Sequence, residues 1–174
     1  MNELARFVEK FSGKKVAVLG DLVVDRYIHG TTRRISREAP VLIVKEEGNE
    51  ARLGGAANVV ANIQAMGGDP YPIGVVGADD DGNWLVQELA KRGIRPDAVV
   101  VDPTRVTTTK TRVLAGGANT IKQQMLRIDR LSDGDVSPGV RSNLVERLER
   151  FLPVVDALVV SDYKEGVVSR EVFD

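Results

Sequence analysis

The sequence contains no cysteine. That excludes disulfides, thiolate metal sites and a cysteine nucleophile together, and it fits a reducing compartment. Histidine is nearly absent too. His29 is the single one, with no partner legible in its surroundings, so histidine-based catalysis or metal binding is not expected. Charge of one sign is also missing: Lys and Arg number 24 against 25 Asp and Glu, leaving a net charge of -1. No basic field exists to hold nucleic acid or an anionic membrane surface. No long charge-free apolar run occurs, so no segment is expected to span a membrane. The N-terminus, MNELARFVEKFSGKK, is not a signal peptide pattern. Its Leu4, Phe7, Val8 and Phe11 fall on one helical face with charges between them. A soluble, cytoplasmic protein is the expectation. Internal repeats and low-complexity tracts are lacking. So are the nucleotide loops G-x-x-x-x-G-K-[ST] and strand-borne G-x-G-x-x-G.

What is present suits one compact domain: 174 residues, 43% hydrophobic and 28% charged. Val16 to Gly20, Tyr71 to Val76, Ala98 to Val101 and Ala157 to Val160 read as buried strands. Runs apolar on both faces belong to a parallel sheet covered on each side. Helical faces lie between them: Val59, Val60, Ile63 and Met66; Leu85, Val86 and Leu89; and Val140, Leu144, Val145, Leu148, Phe151 and Leu152. This alternation predicts an α/β doubly wound fold with a central, mostly parallel sheet. Two regions break the rhythm. Tyr27 to Ile35 and Val41 to Lys45 read as one strand pair around Pro40. Val106 to Ala115 and Ile121 to Ile128 read as another, with Gly116-Gly117-Ala118-Asn119-Thr120 as the hairpin loop. Their faces mix Thr, Lys, Arg and Gln with aliphatics. They are expected to form a small second layer or lid, roughly 27–45 and 106–128, with one wet or ligand-facing side.

Four places could carry chemistry. Gly20-Asp21 closes the first strand with Asp25 shortly after, at the strand end where open α/β sheets bind ligands. Equally, Asp21 could cap a turn and Asp25 could be a solvated loop residue. Gly54-Gly55-Ala56-Ala57-Asn58 precedes a helix. Paired glycines let a ligand approach the backbone there, free N–H groups follow, and Asn58 offers an amide to a polyol. A tight turn is the plainer alternative. Arg33, Arg34 and Arg37, and the set Lys110, Arg112, Lys122 and Arg127, could bind a phosphorylated sugar or could simply discourage edge aggregation. Ser161-Asp162-Tyr163-Lys164-Glu165-Gly166 ends the last apolar strand on the same side of the sheet.

Taken together, GDLVVD, GGAANVVANIQAMGG, GVVGADDDG and TTTKTRV resemble the ribokinase-like (PfkB-type) carbohydrate kinases nearly end to end. Within that family RISREAP, QQMLRID and VVSDYKEG look like the kinases of heptose 7-phosphate. Arg37 departs from the subfamily pattern, which has Pro there, and Ala118 to Lys122 interrupts the second strand pair differently. The resemblance implies a ribokinase-like fold and transfer of the ATP γ-phosphoryl to a sugar phosphate. It implies sugar contacts from Asp25, Gly54, Gly55 and Asn58, with Lys110, Arg127 and Asp129 near the lid and cleft. Asp162, Tyr163 and Lys164 would lie at the cleft floor, and the lid strands would form a homodimer. ATP and Mg²⁺ are implied for the full-length family, whose catalytic Asp lies in a G-A-G-D motif. That motif does not occur in these residues. Val167 to Asp174 starts like a helix capped by Ser169 and stops after about one turn. A truncated chain holding the N-terminal part of a kinase domain is therefore expected, with no catalytic residue of its own, weak nucleotide binding at most and no activity alone.

Overall fold

In the computed structural model residues 7–117 and 120–173 are described; Leu4, Ala118 and Asn119 lie outside them. Strand β1 (Lys15–Gly20) shows why the central sheet forms. Its alternate residues point to opposite faces. Val16 and Val18 enter one apolar cluster, and Ala17 and Leu19 enter another. A strand that is greasy on both sides needs cover on both. Strands β4 (Asp69–Gly77), β5 (Val99–Asp102) and β8 (Ala157–Ser161) complete the sheet in the order β5-β4-β1-β8, and all pairings are parallel. Helices α1 (Gly55–Ala65) and α2 (Asp80–Lys91) cover one face through Ala56, Ala57, Val60, Ile63, Leu85 and Leu89. Helix α3 (Pro138–Phe151) covers the other with Leu144 and Leu148. One helical turn, α4 (Arg170–Phe173), ends the described chain.

The second sheet is separate and mixed, in the order β3-β2-β6-β7. Its strands are β2 (Leu22–Ile35), β3 (Leu42–Gly54), β6 (Thr109–Gly116) and β7 (Gln123–Arg130). β2 runs antiparallel to β3 and parallel to β6. β2 starts directly after β1, and its root, Leu22, Val23 and Val24, is buried with the central core.

Several sequence expectations need correction. β3 runs nine residues beyond Lys45, because Glu46 to Arg52 is polar on both faces yet still pairs along β2. β7 lies two residues further on than the apolar run suggested. Met66, expected on the buried face of α1, is 38% exposed because the helix ends before it. β8, expected to be buried, pairs only with β1 and leaves Leu158 37% and Val160 40% exposed. Phe7, Val8 and Phe11 also stay largely exposed. His29 does have a partner: its Nε2 lies 3.3 Å from Glu50 Oε1, and its ring stacks on Tyr27.

Candidate functional site

Register brings several charged residues of the second sheet onto one face. Asp25 pairs across to Arg52 on β3 and Lys110 on β6, and Lys110 pairs to Asp129 on β7. One step outward, Tyr27 lies opposite Glu50 and Arg112, and Arg112 opposite Arg127. Strand alternation turns these side chains to the same side. Asp25 is ion-paired with Arg112, both about four-fifths buried. That bond holds the Arg112 guanidinium above the ordinary arginine value, against the opposing effect of burial. Arg52 and Arg112 each lie against the Tyr27 ring, 5.2 and 5.5 Å from its centroid. Arg127 Nε bonds Asp129 Oδ1 at 2.9 Å. Four cations thus share one sheet face with carboxylates that hold them in place.

The loop after β8 meets this face. Lys110 Nζ lies 3.6 Å from Glu165 Oε1 and 5.8 Å from the Tyr163 ring centroid. Gly54 closes the cluster from below. A Cβ there would press on the Asp25 carboxylate, with Cγ at 2.8 Å, so only glycine lets the carboxylate sit over the start of α1. Gly55 opens that helix at a φ of +54°, a backbone region that favours glycine.

Of the residues singled out from sequence, Asp25, Gly54, Lys110, Arg112 and Tyr163 come together here, with Arg127 and Asp129 on the adjoining strand. Asn58 is exposed, one turn into α1. Asp162 and Lys164 are also exposed and bond each other, Lys164 N–H donating to Asp162 Oδ1 at 2.7 Å. Arg33, Arg34 and Arg37 stand at the far tip of the β2–β3 hairpin. Eight residues of strand separate Arg33 from Asp25, roughly 26 Å, so this triplet cannot share a ligand phosphate with Asp25. Glu165 completes the cluster. Arg112 sits two residues past Lys110 on the same strand, the spacing that puts both on one face. Glu165 stood in the sequence only as part of the run that ends the last apolar strand.

A second polar cluster ties the two sheets together on the opposite side of the second sheet. Asp81, only 7% exposed, accepts from Arg26 Nε at 2.8 Å, Thr109 Oγ1 at 3.1 Å and Arg130 Nη1 at 3.4 Å. Asp79 caps α2 through Gly82 N–H and also accepts from the Thr107 amide and hydroxyl. Burial would raise its pKa, but the hydrogen bonds from Thr107 and Gly82 and the nearby Arg130 outweigh that and hold it below the usual carboxylate value. The GVVGADDDG motif gives no local sign of these roles, because the partners on β2, β6 and β7 are far away in the chain.

The parallel sheet covered by helices, with a second sheet at the carboxyl ends of its strands, is the ribokinase-like α/β fold. Solved kinases share it. Phosphofructokinase-2 from Escherichia coli in complex with fructose-6-phosphate matches 92% of this chain and 49% of its own, with a TM-score of 0.61 at 19% identity. Arabidopsis thaliana ribokinase complexed with ribose and ATP covers 78% of this chain and 43% of its own, with a TM-score of 0.52 at 17% identity. The pfkB family carbohydrate kinase pattern matches residues 13–125, and the chain belongs to that family. Among curated relatives, the bifunctional protein HldE of Paramagnetospirillum magneticum is 39% identical over 172 residues, which is 99% of this chain and 34% of that protein. HldE of Caulobacter vibrioides is 43% identical over 170 residues, 97% of this chain and 33% of that protein. The chain spans about a third of the length of these relatives.

Proposed function

We propose that this chain is the sugar-holding and lid portion of a carbohydrate kinase whose acceptor is a sugar phosphate, heptose 7-phosphate first. The observation that carries this reading is the charged face of the second sheet, set over Gly54 and against the loop bearing Tyr163 and Glu165. Asp25 is suited to accept from sugar hydroxyls. Lys110, Arg112 and Arg127 are suited to donate to a phosphate, and arginine forks match its oxygens well. Asn58 and Gly55, at the start of α1, offer an amide and free backbone N–H groups to the same ligand. Asp129 would hold Arg127, while Asp162 and Lys164 would shape the cleft floor. The likeness of RISREAP, QQMLRID and VVSDYKEG to heptose 7-phosphate kinases, and the HldE relatives, support this acceptor over ribose, fructose or ketogluconate.

Phosphoryl transfer needs a placed base and preorganised charge at the leaving oxygens. The family's G-A-G-D motif is absent from these 174 residues. Their donors and acceptors assign the side chains of the charged face to holding and orienting the sugar phosphate, and the expected behaviour of these residues alone is binding without turnover. Calorimetric titration with heptose 7-phosphate, followed by a coupled assay of ATP consumption, tests both halves. ATP consumption by the chain alone would contradict the division of labour, and failure to bind the sugar phosphate would contradict the site.

Dimerisation through the second sheet is a further part of the reading. Its other face and far end expose Ile35, Leu42, Ile121, Met125, Leu126 and Ile128, the last two 54% and 53% accessible, an apolar patch of the sort that marks protein contacts. Sedimentation across concentrations should show a dimer, and a strict monomer would remove this part. No helix among the described residues is long and apolar enough to cross a membrane, and the reading places the protein in the cytoplasm.

A further inference from the structure

Asp21 is 1% exposed, and nothing in the proposed sugar contacts uses it. We infer that Asp21, together with Arg105, is a positioning clamp that sets the loop 162–165 and, through it, Lys110 for sugar-phosphate binding. The inference rests on the proposed sugar site.

A buried carboxylate must be met by donors. The donors here all come from one segment more than 140 residues away in the chain. Asp21 Oδ2 accepts from the Tyr163 amide at 2.7 Å and the Glu165 amide at 3.3 Å, and Oδ1 accepts from the Val167 amide at 3.3 Å. A turn-capping aspartate would bond its own neighbours; this one does not. Its backbone adds two more ties. The Asp21 N–H donates to Ser161 O at the end of β8, and its carbonyl accepts from Ala56 N–H in the first turn of α1. A single residue therefore joins the end of β1, the end of β8, the glycine-opened helix and the loop.

Arg105 grips the same loop by the opposite polarity. Its Nη2 donates to Glu165 O at 2.8 Å, while Nη1 donates to Gly134 O and Asp135 O at 3.0 and 3.1 Å. The Glu165 residue is thus held at its N–H by Asp21 and at its C=O by Arg105. Between these grips the loop takes a path that a free chain rarely takes, with Lys164 at a φ of 64° and Gly166 at 89°. A non-glycine residue stays there when its surroundings impose it. The imposed path delivers Glu165 and Tyr163 to Lys110, which pairs in register with Asp25.

The test uses the 174-residue chain, with Asp21→Ala, Asp21→Asn and Arg105→Ala. Amide exchange by NMR reads the loop, and calorimetric titration with heptose 7-phosphate reads the site. In Asp21→Ala, exchange at Tyr163, Glu165 and Val167 should quicken at least about tenfold while β1 and β4 stay protected. Affinity should fall by about tenfold or more. Asp21→Asn keeps one acceptor oxygen and should recover part of both losses. Arg105→Ala leaves the buried carboxylate in place and should loosen Glu165 selectively, so it decides the matter if Asp21→Ala does not fold. Wild-type exchange at the three amides in the variants would overturn the clamp, as would a loosened loop with unchanged affinity. If the wild-type chain takes up no sugar phosphate, the sugar site falls, and with it the role assigned to the clamp. Exchange at the three amides then still tells whether the loop is held as described.

Discussion

The two sheets of this chain have four strands each and little else in common. In β1 five of six residues are buried, whereas in β7 all eight are exposed. The central sheet is held by apolar burial on both faces. The second sheet is held by its ladder of hydrogen bonds, by ion pairs on one face, and by the Asp79 and Asp81 cluster at its root. Burial makes a rigid platform, and charge makes a surface with chemistry to offer. The division locates stability in one sheet and the proposed ligand contacts in the other, with Asp21 at the seam.

That contrast can be broken experimentally. The largest effect is expected in the platform: Leu85→Ala, at a fully buried position, should cost about 3 kcal/mol in urea unfolding. A loss near zero would mean the core is not where stability resides. Asp81→Ala should come next. It strands Arg26 and Thr109 at the seam, and because Arg26 and Arg130 are partly exposed the cost is discounted to about 2 kcal/mol. If the two sheets were joined by other means, that variant would unfold like the wild type.

A pH series gives a smaller, signed effect. The folded pKa of Asp79 lies below its unfolded value. Its stabilisation is therefore complete above the ordinary aspartate pKa of about 3.9 and is lost as pH falls through that value toward the folded one. The wild type should lose urea resistance across this acid range more steeply than Asp79→Asn; parallel curves would contradict the capping role. The smallest effect belongs to Ile128→Ala on the exposed face of the second sheet. In the dilute monomer it should change stability by no more than about 0.5 kcal/mol, while weakening self-association in sedimentation.

The same contrast explains what the sequence made legible. Val16 to Leu19 and Tyr71 to Val76 could be read as strands because residues apolar on both faces have few other uses. Glu46 to Arg52 could not, since a polar ladder carries no periodic apolar signal. At the site, Asp25, Gly54 and Lys110 stood in recognisable motifs. Arg112 stood among the basic residues of the second strand pair, but its pairing with Asp25 became visible only through cross-strand register, and the approach of Glu165 to Lys110 only through a loop path. Asp21 was weighed as a local cap because its three partners lie at the other end of the chain. His29 found Glu50 across the β2–β3 pairing, a partner that sequence proximity hides.

The charged face of the second sheet, beside the loop at Tyr163 and Glu165, is the proposed recognition surface for a sugar phosphate. The most direct measurement is calorimetric titration of the chain with heptose 7-phosphate and with unphosphorylated heptose, repeated on Arg112→Ala. The expected result is a preference for the phosphorylated sugar of about tenfold or more that Arg112→Ala largely abolishes. Equal affinity for both sugars, unchanged in the variant, would contradict it.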